Sequence, residues 1–200
     1  MRRIRTIGVA ATVLLATLAT SGAATATSPA AGGVTSDGRG VEAAAAGPYQ
    51  IRFEHSGKCV DNYKGWAAIG NKIQQWTCAR PGEPNFNNQR WTFEWTSGGW
   101  AKIRNVGTGT TGHPSGWCLD ISYNTGGNGD LIELAPCDSS VEWYGTMLPS
   151  PHPRSPDWYQ LHPRTLSMCA DMPHSSQVNG TQLQQWQCVL GNHQQHLTWS

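Results

Sequence analysis

The chain has 200 residues with 14 basic and 13 acidic side chains, 10 tryptophans and 6 cysteines. So even a charge balance argues against nucleic acid and anionic membrane surfaces as partners, since both recruit a basic excess. Beyond the N-terminal segment no stretch is apolar for long enough to cross a bilayer.

From the N-terminus, Arg2, Arg3 and Arg5 precede an apolar run from Ile7 to Ala19, and small residues follow to Ala24-Thr25-Ala26. This pattern predicts a secretory signal peptide over residues 1–26 and a secreted, extracellular protein. Losing its three arginines leaves 11 basic against 13 acidic side chains, which points to an uncharged partner. Residues 27–47 are small, Gly/Ala-rich and without aromatics, the composition of a flexible linker. Residues 48–200 suit one domain.

Within that domain the cysteines form three pairs of identical spacing: Cys59 and Cys78, Cys118 and Cys137, Cys169 and Cys188, each nineteen residues apart. Equal intervals point to one unit used three times, over about 48–97, 98–148 and 157–200. Pairing inside each unit is the scheme that treats all three alike, and export favours disulfides. Each bridge would contribute about 3 kcal/mol in the chain-entropy model. Zinc is disfavoured because no two cysteines lie two to four residues apart.

Aligned on the first cysteine, the units read GKCVDN, GWCLDI and SMCADM, with Asp61, Asp120 and Asp171 in register. Aligned on the second, they read GNKIQQWTC, GDLIELAPC and GTQLQQWQC. Downstream, NNQRWTF, SSVEWYG and QQHLTW set Trp91, Trp143 and Leu197 at one position. YQIRF from Tyr49 and YQLHP from Tyr159 correspond, and AKIRN is the middle counterpart, displaced by an insertion around Gly107–Pro114. Agreement at several landmarks establishes the triplication.

Each unit consists of short alternating segments such as KIQQW and RWTFEW, broken by Gly, Asn, Pro and Ser. No helical apolar stripe occurs after the signal peptide. Four short strands per unit and three units in one domain predict an all-β protein, a β-trefoil. Units this small must share a core, with Trp91, Trp143, Leu197, Ile51, Ile103 and Leu161 as its expected centre.

The Cys-x-Asp start, the Gln-x-Trp-x-Cys segment and the closing Gln-x-Trp (Gln89-Arg90-Trp91) resemble the ricin B-type lectin family, from about Gly47 to Ser200. The resemblance implies a β-trefoil with up to one shallow sugar site per unit. On the family pattern Asp61 and Asn88 bond neighbouring hydroxyls, Trp76 stacks on the ring, Gln74 belongs to the site and Gln89 steadies the aspartate. The third unit keeps Asp171, Gln184, Trp186 and Gln195 but has Gln194 where Asn is expected; this longer amide is expected to reach a hydroxyl still. The middle unit keeps Asp120 but has Glu133, Ala135, Ser140 and Val141 at the other positions, and is expected to be silent.

The chemistry suits that assignment. A pyranose offers an apolar C–H face to an indole and a rim of hydroxyls to an ionised carboxylate, whose charge strengthens each bond. The partner expected is a polysaccharide or glycan, with galactose- and xylose-type sugars both open, reached alone or with a separately encoded glycosidase. No catalytic residue, cofactor or metal is expected. Asp61 and Asp171 belong to different units, unlike a glycosidase pair, and His193 with His196 reads as a polar turn. Asn179-Gly180-Thr181 matches an N-glycan acceptor and equally a turn. The alternative reading is a protein-interaction module on the same fold, such as a protease inhibitor or toxin binding subunit, engaging through Ala79–Asn87 and Met147–Asp157.

Overall fold

The computed structural model describes residues 45–148, 157–164 and 167–200. The expected signal peptide and nearly all of the linker lie outside these residues. Twelve strands follow in chain order: β1 Ala45–Phe53, β2 Cys59–Asn62, β3 Asn71–Trp76, β4 Arg90–Trp95, β5 Ala101–Asn105, β6 Trp117–Ile121, β7 Ile132–Pro136, β8 Trp143–Met147, β9 Tyr159–Pro163, β10 Met168–Asp171, β11 Gln184–Gln187 and β12 Leu197–Trp199. Short 3-10 turns join several of them, and no α-helix occurs among the described residues.

Six strands close a ring: β1 pairs with β4, β4 with β5, β5 with β8, β8 with β9, β9 with β12, and β12 back with β1. The other six form the hairpins β2–β3, β6–β7 and β10–β11. These hairpins are linked by β3–β7 and by the bridges Gln74–Gln182 and Leu131–Gln184. A closed barrel capped by three hairpins, four strands to each unit, is the β-trefoil. Disulfides join Cys59 to Cys78, Cys118 to Cys137 and Cys169 to Cys188, one within each unit.

The start of β1 revises the linker boundary. Ala45 and Ala46, read from composition as tether, pair with Glu94 and Phe93 of β4. Backbone pairing asks nothing of a side chain, so composition carried no sign of it. The strand is irregular between Ala46 and Tyr49. There Gly47 has φ +118°, and a Cβ would lie 2.8 Å from the Trp91 carbonyl oxygen, so only glycine fits.

The six residues expected at the centre are all buried in one apolar cluster with Phe53, Ile73, Phe93, Leu119, Ile132 and Leu134. Trp91 and Trp143 also solve the polar problem of a buried indole in the same way. Trp91 Nε1 donates to the Val60 carbonyl at 3.0 Å, and Trp143 Nε1 to the Leu119 carbonyl at 3.1 Å. Val60 and Leu119 each follow the first cysteine of their unit, so the core indole of a unit is tied to the strand that carries its aspartate.

Candidate functional site

In the first unit Asp61 on β2 faces Gln74 on β3 across the hairpin. Gln74 Nε2 donates to Asp61 Oδ1 at 2.8 Å, and Gln89 Nε2 donates to Asp61 Oδ2 at 3.2 Å. Gln89 is fully buried; its Nε2 also reaches the Thr77 carbonyl, and its Oε1 accepts from Ala79 N–H and Gln50 Nε2. It thereby locks the carboxylate to β1 and to the segment after β3. Burial pushes the Asp61 carboxyl above its ordinary value of 3.8, against the two amide bonds, which act to lower it.

Trp76 ends β3 with 38% of its surface exposed. Asp61, Gln74, Trp76 and Asn88 line one cleft of about 420 Å³ together with Tyr63, Lys64 and Asn85. The structure therefore brings these four together, with Gln89 behind them as the support. The Asn88 side chain rests on Gly65, where a Cβ would sit 2.5 Å from Asn88 Oδ1. Neither Tyr63, Lys64 nor Asn85 was legible as a site residue, because no residue type is shared between units at those positions. The one signal is positional: Lys64, Tyr123 and His174, each three residues after the aspartate, all have positive φ. A larger cavity of about 470 Å³ lies at Arg52, Glu54, Trp158 and Trp199, but it holds no aspartate–amide set repeated between units.

The third unit repeats the plan with one exchange. Asp171 faces Gln184 across β10–β11, and Gln184 Nε2 donates to Asp171 Oδ2 at 2.8 Å. Trp186 is 39% exposed. Gln195 reproduces the scaffold bonds of Gln89: it accepts from Val189 N–H and Gln160 Nε2 and donates to the Gln187 carbonyl. The second amide on the carboxylate comes from Gln194, whose Nε2 donates to Asp171 Oδ1 at 2.7 Å while its Oε1 accepts from Ser175 Oγ. Gln194 is thus turned onto the aspartate, with the second N–H of its amide left for a hydroxyl. Its extra methylene lets it fold back onto the aspartate.

The middle unit pairs Asp120 with Glu133, two carboxylates where the others have a carboxylate and an amide. Burial, then the Asp120 charge, pushes the Glu133 carboxyl up. Asp120 Oδ1 accepts the Val141 N–H at 2.9 Å, and the platform position is a buried Ala135. Asn179, in the turn of the glycan-acceptor sequence, holds the first unit: its Oδ1 accepts from Thr77 N–H and its Nδ2 donates to Thr77 Oγ1.

A capped six-stranded ring with aspartate–amide–indole sets in two of three units defines a β-trefoil of lectin type. The sequence profile described as ricin-type beta-trefoil lectin domain-like matches residues 40–135 and 87–186, and the chain belongs to that family. No curated protein sequence matches it. Among solved structures, the Rhizoctonia solani agglutinin is 17% identical, with a TM-score of 0.59, covering 80% of this chain and 95% of the agglutinin. A ricin B-like lectin from Macrolepiota procera, solved with lactose, is 19% identical, with a TM-score of 0.55 and coverage of 81% and 98%. An exo-beta-1,3-galactanase from Clostridium thermocellum is 24% identical, with a TM-score of 0.61, over 76% of this chain and only 29% of the enzyme. At such identities the likeness is one of fold.

Proposed function

We propose that this chain is a secreted, non-catalytic lectin that binds neutral saccharides at two shallow sites. The first comprises Asp61, Gln74, Trp76, Asn88 and Gln89; the second, Asp171, Gln184, Trp186, Gln194 and Gln195. The domain is residues 48–200 with the first three residues of β1, Ala45 to Gly47, before it, exported by residues 1–26. The observation that carries this reading is the half-open Trp76 indole beside a carboxylate clamped by two amides in one cleft. The indole covers a C–H face, and the free lone pairs of Asp61 accept from two adjacent hydroxyls. Asn88 donates back and selects which pair of hydroxyls fits.

The second site has committed both amides to Asp171, so it offers a sugar fewer donors and binds more weakly. Shallow sites of this kind bind at millimolar to micromolar strength, about 4–8 kcal/mol each, and two on one domain raise retention on a polymer by roughly a hundredfold. Galactose- and xylose-type ligands are both to be tested, and lactose, bound by the Macrolepiota procera neighbour, is a first probe for the former. The galactanase neighbour supports delivery of a glycosidase to its polymer as the role.

The test is retention on galactan and xylan columns. Trp76→Ala together with Trp186→Ala is expected to abolish retention and to change stability by about 1 kcal/mol or less, since both rings are surface platforms. Unchanged retention would remove both sites, and stoichiometric inhibition of trypsin- or subtilisin-like proteases would replace the reading with the inhibitor alternative.

A further inference from the structure

The ring of strands creates three equivalent boundaries between units, and the backbone treats them identically. At each, a residue just past the first strand of one unit donates its N–H to a carbonyl of the unit before: Glu54 to His196 at 2.9 Å, Val106 to Arg90 at 2.9 Å and Arg164 to Glu142 at 2.8 Å. The side chains differ. Val106 brings no charge, and Arg164 forms an ordinary ion pair with Glu142. Among the described residues, only at the boundary that closes the ring does a carboxylate meet two imidazoles. The scaffold needs the backbone bond at this position and does not need those three side chains.

Glu54 Oε2 lies 2.8 Å from His193 Nδ1 and 2.6 Å from His196 Nδ1. All three donor atoms fall within 4.8 Å of one another. The histidines are three residues apart across the 3-10 turn His193–Gln195, one turn of that helix type, so both face the same way. Among the described residues no guanidinium or ammonium pairs with Glu54 within 4.0 Å, so its charge is met by imidazoles alone. His196 is buried, and its other nitrogen, Nε2, has no partner, so its one polar contact is directed into this cluster. His193 is two-thirds exposed and leaves the outer side open to water.

We infer that Glu54, His193 and His196 form a binding site for a zinc-type divalent cation that clamps the third unit's turn to β1. Two imidazoles and one carboxylate are the ligand set of a borderline metal rather than of calcium or magnesium. Bonds of about 2.0–2.2 Å at tetrahedral angles set the donors roughly 3.3–3.6 Å apart, about 0.5–1 Å further than the present contacts. The exposed His193 opens its own contact, and the Glu54 side chain must swing to open the one to the buried His196. The same turn carries Gln194 and Gln195, which hold Asp171 and its surroundings, so the ion steadies the second saccharide site. That coupling rests on the proposed function; the metal site does not.

The experiment is calorimetric titration of the chelator-stripped, disulfide-intact full chain with zinc chloride near neutral pH, without sugar. One ion is expected to bind. Glu54→Gln and His193→Ala are each expected to weaken it at least tenfold, and His113→Ala to leave it unchanged. No binding, or binding indifferent to Glu54→Gln and His193→Ala, overturns the site. In a Trp76→Ala background, which leaves the second saccharide site alone, zinc is expected to raise retention several-fold, and to lose that effect with Glu54→Gln. Zinc binding with retention unmoved overturns the clamp, whereas retention absent with and without zinc counts against the saccharide site and leaves the metal result standing.

Discussion

Asp61→Asn, made in a Trp186→Ala chain so that only the first site remains, is expected to lose retention on polysaccharide without losing stability. Each bond from a hydroxyl to the ionised carboxylate is worth about 1.5–3 kcal/mol. Replacing one of its oxygens by a donor therefore costs at least tenfold in affinity, and about a hundredfold where both hydroxyls are affected. Stability runs the other way. Burial outweighs the Gln74 and Gln89 bonds and raises the Asp61 carboxyl above 3.8. A carboxyl whose folded value is raised penalises the fold when ionised, and that penalty begins to relax as pH falls to the folded value and is gone below the unfolded value of 3.8. The new Nδ2 would face the Gln74 amide donor, which a turn of that amide relieves by presenting its unpartnered Oε1. The variant is therefore expected to melt close to the parent temperature at pH 7, with the parent gaining on it in acid. Parent retention is expected to fall with acidification through a midpoint above 3.8, as the acceptor becomes protonated. Retention unaffected by the substitution, or a variant that melts well below its parent, would show that Asp61 serves the fold rather than a ligand.

Much of this domain is legible from its sequence because local pairing and shared burial set its landmarks. Asp61 and Gln74 are found by aligning units because a hairpin sets them opposite each other, and a hairpin's register follows from its own residues. Trp91, Trp143 and Leu197 share an alignment column because they share the barrel axis. What stayed hidden was decided by reach or by ring closure. Gln194 and Gln89 take the same bond from adjacent columns because one side chain is longer than the asparagine it replaces. Glu54 lies 139 and 142 residues from the two histidines, and meets them only because β12 pairs with β1. Tyr63, Lys64 and Asn85 reach the cleft through turns whose geometry repeats while their residue types do not.

The two tryptophans of the first unit's Gln-x-Trp segments are expected to separate fold from function most sharply. Trp91→Ala removes a fully buried ring from the barrel centre, a change that costs about 3–5 kcal/mol through lost transfer energy and an unfilled cavity. It also strips the Val60 carbonyl of its indole donor. Against a total of about 5–15 kcal/mol for a domain, the expected fall in melting temperature is about 10–15 °C for a chain of this size. Trp91→Phe keeps most of the volume but drops the N–H, so it should lose less. Val60 precedes Asp61 and Gln89 stands two residues before Trp91, so the core change displaces the site from beneath, and retention falls together with stability. Trp76→Ala, fifteen residues upstream, empties the sugar platform and leaves the barrel intact, so retention falls while the melting temperature holds. Differential scanning calorimetry beside column retention distinguishes the pair. Equal stability losses in both variants would place Trp76 in the packing rather than on a binding surface, and would remove the platform on which the saccharide reading stands.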